Sequence, residues 1–134
     1  MRPKPVGLSK DAGWELGARR TVVASADAVW QHLIGAGLTT WLGKTKLPDA
    51  VGGSYKTADG VTGTLRTRVE GDRLRLTWTR PGTRHETLLQ LRVIAKEAGT
   101  TIAFHQEKLT GRDERAELLA HWHGVLEDLE AELA

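Results

Sequence analysis

The side chains able to do chemistry fall into a few small groups. His105 and Glu107 stand two positions apart in a segment of alternating character. On a strand that spacing puts an imidazole and a carboxylate on one face, as a general acid/base pair requires. The same face carries Ala103, while Ile102, Phe104 and Gln106 take the other, so the pair is expected on the wet side unless a bulge reverses the register. His121 and His123 are also two apart, but in a helical segment. There the spacing turns them away from each other, whereas helical metal pairs need a separation of three or four. His32 and His85 have no nearby partner in sequence, and there is no cysteine to supply a thiolate, a disulfide or a zinc ligand. The glycines lack the spacing of a phosphate-binding loop, and no Gly-x-Ser-x-Gly elbow occurs. The expectation is therefore no catalytic residue, no metal and no cofactor.

The aromatic residues point elsewhere. Five of the seven are tryptophan: Trp14, Trp30, Trp41, Trp78 and Trp122. Tryptophan joins a large apolar body to one N–H donor, which suits the wall of an apolar ligand site and equally suits a core. Trp41, Trp78 and Trp122 are the pocket candidates. Tyr55, Thr67 and Gln106 are polar positions in or beside apolar faces, and an inward Gln106 needs a partner for its amide. With Leu76, Leu89, Leu91, Phe104 and Leu126 they make the expected ligand-binding set.

These residues must be positioned by elements readable from pattern. Residues 1–13 show no period and are expected as a flexible tail ahead of one domain over 14–134. A strand from Trp14 to Ala24 precedes a helix capped by Ser25, with a short second helical turn over Leu38–Leu42. Turn signals at Asp59-Gly60, Gly71-Asp72, Pro81-Gly82 and Ala98-Gly99 divide residues 53–108 into an antiparallel meander. Leu65, Thr67 and Val69, then Leu74, Leu76 and Trp78, then Leu89, Leu91 and Val93, form its apolar face. Arg66, Arg68, Arg73, Arg75 and Arg92 line the opposite face, with no aromatic residue among them to stack on bases. Leu119, Trp122, Leu126, Leu129 and Leu133, widened by Leu118 and Val125, mark a helix over Arg112–Leu133, with Thr110 and Asp113 resembling a capping box. At ~1.5 Å per residue it runs about 33 Å, enough to cross the sheet. Glu127, Asp128, Glu130 and Glu132 crowd its C-terminus, where the macrodipole disfavours anions.

The fold class is α+β: a curved antiparallel sheet of about six strands wrapped around a long C-terminal helix, a helix-grip, with two short helices after the first strand. Nineteen basic and seventeen acidic residues make a mixed surface rather than a nucleic-acid footprint. No run approaches the ~20 apolar residues of a membrane span, and the start lacks the ~7–15 of a secretory signal. A cytoplasmic monomer or weak dimer is expected, with no nucleic acid and no membrane span.

Several phrases carry a resemblance: Arg20-Thr-Val-Val-Ala-Ser-Ala-Asp-Ala-Val-Trp30, Leu38-Thr-Thr-Trp-Leu-Gly43, Gly53-Ser-Tyr55, Gly99-Thr100, and His121-Trp122 through Leu126-Glu-Asp-Leu129. Over about residues 14–133 the chain resembles the START-like (SRPBCC) superfamily, and within it bacterial relatives of the C-terminal domain of the activator of the heat-shock-protein-90 ATPase. Many relatives carry Ala-Pro before the first helix, where this chain has Ser25-Ala26. The resemblance implies a helix-grip fold with a cavity between sheet and long helix. The expected function is binding of a hydrophobic small molecule, apolar, aromatic or lipid-like. The alternatives are a cyclase- or hydratase-type enzyme, which needs a pocket-facing acid or base, and a protein-interaction or co-chaperone-like domain.

Overall fold

The computed structural model describes residues 7–9 and 13–134. Strands β1 (Leu8–Ser9) and β2 (Gly13–Val22) are followed by helices α1 (Ala26–Ile34) and α2 (Leu38–Trp41). Strands β3 (Ser54–Lys56), β4 (Thr62–Val69), β5 (Arg73–Trp78), β6 (Thr87–Lys96) and β7 (Gly99–Leu109) lead into helix α3 (Arg112–Leu133). The sheet order is β1-β2-β7-β6-β5-β4-β3, with every pairing antiparallel. Six main strands and the long helix make the expected helix-grip. The two-residue β1 is an addition, drawn from the stretch expected as a tail; the rest of that stretch lies outside the described residues, apart from Gly7 and Gly13.

The inner face is built by alternation. Leu74 and Leu76 of β5 meet Leu91 and Leu89 of β6, and these meet Phe104 and Gln106 of β7. All six side chains are fully or almost fully buried. Helix α3 covers them with Leu118, Trp122, Val125, Leu126 and Leu129, the expected stripe, while Leu119 and Leu133 are only partly buried at its margin. Each fully buried residue of this size contributes roughly 1.5–3 kcal/mol of transfer free energy. The acidic end of α3 is held by cross-links: Arg20 Nε donates to Glu130 at 2.9 Å, and Glu132 takes His32 at 2.7 Å and the Thr40 hydroxyl at 2.6 Å. These offset the unfavourable macrodipole and tie α3 to α1 and α2.

Two helix starts illustrate capping. Ser25 caps α1 as expected, its hydroxyl accepting from the Ala28 N–H at 3.2 Å. At α3 the cap is Gly111, not Thr110, and Glu114 rather than Asp113 reaches back to the Thr110 N–H at 2.9 Å. Gly111 has no side chain to complete a box, so only the Glu114 bond remains.

Two bulges set which side chains face inward. On β4 the pairing passes from Leu65↔Leu76 to Thr67↔Arg75, leaving Arg66 as the extra residue. Thr67 and Val69 therefore share the outer face with Arg75 and Arg73, and Arg68 lies opposite the buried Leu74. The expected inward Thr67 and outward Arg68 are thus exchanged, because an inserted residue flips every later side chain. On β7 the step from Leu16↔Gln106 to Trp14↔Leu109 carries one extra residue, and Lys108 takes a φ of 65° there. His105 precedes this step and Glu107 keeps register with the outward Leu88 of β6, so both stay on the outer face, and the step returns Leu109 to the core.

Candidate functional site

The wedge between sheet and α3 is filled in its depth. The Phe104 and Trp122 rings stack with centroids 4.5 Å apart at 21°, and Trp41 lies 6.2 Å from Phe104. A chain of hydrogen bonds runs through this apolar volume. Trp122 Nε1 donates to Gln106 Oε1 at 2.8 Å, and Gln106 Nε2 donates to Thr87 Oγ1 at 2.9 Å. The Thr87 hydroxyl in turn donates to the Trp78 carbonyl at 2.6 Å. Gln106 and Trp122 are 0% exposed, so every link is shielded from water. The partner that an inward Gln106 needed is a tryptophan on α3 and a threonine on β6, and a satisfied network of this kind fixes one register of helix on sheet.

Trp41 and Trp30 are anchored separately. Trp41 Nε1 donates to the Leu33 carbonyl at 2.8 Å, fixing α2 against α1. Trp30 Nε1 donates to Glu70 Oε2 at 3.1 Å, and Arg68, turned inward by its bulge, bonds the other oxygen. Those two donors, Arg68 first, lower the Glu70 pKa. Tyr55 is buried, its hydroxyl donating to the Thr77 carbonyl at 2.6 Å, and burial raises its pKa. Gly63 makes that reach possible: a Cβ there would meet the Thr77 oxygen at 1.9 Å and the Tyr55 ring at 2.6 Å. Leu76, Leu89, Leu91, Phe104 and Leu126 complete the buried wall, whereas Thr67 is excluded by the β4 bulge.

The mouth is different. Where α2, the β3–β4 turn, the end of β5 and the middle of α3 meet, a pocket of about 160 Å³ is lined by Trp41, Gly43, Thr57, Asp59, Trp78 and His121, among others. Gly43 holds a φ of 125° with Thr57 3.0 Å from where a Cβ would stand, so the loop closes tightly against the turn. Arg80 sits 5.9 Å over the Trp78 ring and pairs with Glu117 at 3.2 Å. His121 packs edge-on against Trp122, with centroids 4.7 Å apart. Its pKa is lowered, first by loss of solvent around the ring and then by the Arg80 charge, with Glu117 opposing, so the imidazole is neutral at pH 7. Spacing disqualified His121 as a metal ligand and gave no hint of this position; the signal lay in its adjacency to Trp122, which placed it at the margin of the buried stripe.

These features define a helix-grip fold, an antiparallel sheet wrapped around one long helix. No family model matches the chain, and no curated protein does. Solved structures do match. DynU16, "a putative protein in the dynemicin biosynthetic locus", superposes with a TM-score of 0.78 at 22% identity over 89% of this chain. This chain spans 46% of the DynU16 chain, less than half its length. CalU16 from Micromonospora echinospora gives a TM-score of 0.79 at 20% identity, covering 92% of this chain and 80% of that one. The Aha1 dimer from Colwellia psychrerythraea gives 0.74 at 17% identity, covering 89% and 95%. At these identities the likeness is one of fold. Among the described residues no helix is long and apolar enough to cross a membrane.

Proposed function

We propose that this protein is a small-molecule binding module whose site is the mouth of the wedge. The observation that carries the reading is the meeting of Trp41, Trp78 and His121 at one pocket of about 160 Å³, with His121 packed on the buried Trp122. An enclosed apolar cavity of about 150 Å³ accepts benzene, and this pocket is of similar size, though open on one side and lined by threonines, Asp59 and His121 as well as tryptophans. The pocket therefore suits a ligand of about one aromatic ring, or one end of a larger apolar molecule, rather than a whole sterol or acyl chain. Trp41 and Trp78 supply apolar contact, and the neutral His121 and the Thr57 hydroxyl supply orientation. The deeper set, Leu76, Leu89, Leu91, Phe104, Gln106, Trp122 and Leu126, forms the wall behind it, and Tyr55 braces the β3–β4 side. Of the expected set, Thr67 takes no part. A cytoplasmic, monomeric or weakly dimeric carrier fits the same reading.

His121 favours a second reading. A cyclase- or hydratase-type enzyme needs an acid or base in its pocket, and the neutral His121 imidazole, on the same pocket wall as Asp59, is the group that could serve. Turnover of a bound ring compound, abolished in His121→Gln while binding persists, is its signature.

Tryptophan fluorescence titration with phenol, indole, a fatty acid and a sterol tests the main reading. Saturable one-site binding of the ring compounds, weakened at least tenfold in Trp78→Ala and unchanged in Trp14→Phe, is the expected outcome. A folded protein that responds to none of them contradicts it and turns attention to protein interaction.

A further inference from the structure

On the outer face of the sheet, on the side away from α3, three side chains of metal-ligating type converge. His105 and Glu107 project together from β7, and Glu15 stands on the neighbouring β2, where Gly17 pairs with His105 and Leu16 with Gln106. One ligand atom from each of the three lies within 4.8 Å of the others. From this geometry we propose that Glu15, His105 and Glu107 bind a divalent transition-metal ion such as Zn²⁺.

The distances fit a site that closes on its ion. Zinc held at about 2.0–2.2 Å by four tetrahedral ligands sets those ligands roughly 3.3–3.5 Å apart. His105 Nε2 and Glu15 Oε2 are already 3.6 Å apart, and small rotations of the glutamates bring in the rest. Gly17 leaves room for that adjustment, since a Cβ there would meet nothing within 4 Å. The β2–β7 ladder holds His105 opposite Gly17, while Glu15 and Glu107 lie at the bulge beside it, so the two carboxylates are the ligands that adjust. All three residues are half-buried, which weakens solvent screening of their charge.

Charge points the same way. Glu15 and Glu107 are like charges on adjacent strands, a repulsion that a cation between them relieves. The cation nearest Glu107 is Arg75, whose Nη2 is 3.8 Å from Oε1, too far for a hydrogen bond. A metal ion at the centre of the three ligands neutralises both carboxylates at shorter range. The donor set selects the ion: one imidazole nitrogen and two carboxylates suit Zn²⁺ or Co²⁺ better than Ca²⁺ or Mg²⁺, which prefer all-oxygen shells, and there is no sulfur for Cu(I). Three protein ligands leave a position for water or an exogenous anion.

The test is calorimetric titration of the full chain with ZnCl₂, with the visible spectrum of the Co²⁺ form as a second readout. The expected result is one ion per chain, with affinity reduced at least tenfold in His105→Ala and in Glu107→Gln while circular dichroism stays unchanged. His121→Ala and His123→Ala should bind as the parent does, which separates this cluster from the helix histidines. Arg75→Gln removes the competing cation and should bind at least as tightly. Absence of binding at 1 mM Zn²⁺, or equal binding by the parent and His105→Ala, overturns the proposal.

Discussion

The depth of the wedge and its mouth are made of the same residue types and behave differently. In the depth, Trp122 stacks on Phe104 and spends its N–H on Gln106, whose amide continues to Thr87. At the mouth, Trp78 lies under an arginine and beside a pocket, and His121 is covered on one side only. A tryptophan is thus core or site according to what surrounds it. Where the strands on one side and α3 on the other present a continuous apolar stripe, the rings close on each other. Where the stripe runs out, at the turn after β3 and the end of β5, space remains.

That contrast can be broken most severely from the depth. Trp122→Ala should cost about 3–5 kcal/mol of unfolding free energy, the usual range for losing a buried large aromatic, and urea denaturation measures it. Gln106→Ala comes next, at about 1–3 kcal/mol, because it strands the Trp122 N–H and leaves the Thr87 hydroxyl one partner short. A double-mutant cycle with Thr87→Val should return a coupling between the two sites, and strict additivity would show that the chain of bonds does not act as a unit.

The mouth should yield the smallest change at neutral pH and a distinctive one in acid. His121→Gln should alter stability at pH 7 by no more than about 0.5 kcal/mol, as at other exposed positions. Its folded pKa lies below the ordinary value of 6.5, so well above pH 6.5 both folded and unfolded chains hold it neutral and nothing is lost. As pH falls through 6.5 the unfolded chain takes up the proton first, and stability declines until the folded pKa is passed. The variant should lose that part of the decline, modest in size because the ring is partly exposed. Melting curves between pH 5 and 8 for both proteins check the sign; a steeper decline in the variant would contradict it.

Much of this was legible in the sequence. Alternation placed Leu74, Leu76, Leu89, Leu91 and Phe104, the heptad-like stripe placed Trp122 and Leu126, and Ser25 announced its helix. Gln106 was readable as an inward polar group in search of a partner. Its partners required the fold, because one stands on α3 and the other on β6. Thr67 was misplaced because nothing in Leu65-Arg66-Thr67 marks a bulge: no glycine stands at the extra position. The outer cluster stayed hidden for a related reason. Spacing along one chain reveals His105 and Glu107 together, but Glu15 joins them only across the β2–β7 ladder, some ninety residues away in sequence.

The most direct test of the contrast uses the five indole N–H signals in a ¹⁵N-resolved NMR spectrum. The account predicts that the Trp122 signal exchanges with D₂O most slowly, being fully buried and bonded to Gln106, and that titration with phenol or indole moves the Trp41 and Trp78 signals while Trp30 and Trp14 stay fixed. Rapid exchange at Trp122, or ligand shifts centred on Trp122 with Trp78 unmoved, would show that the wedge opens in its depth and that the mouth is not the site.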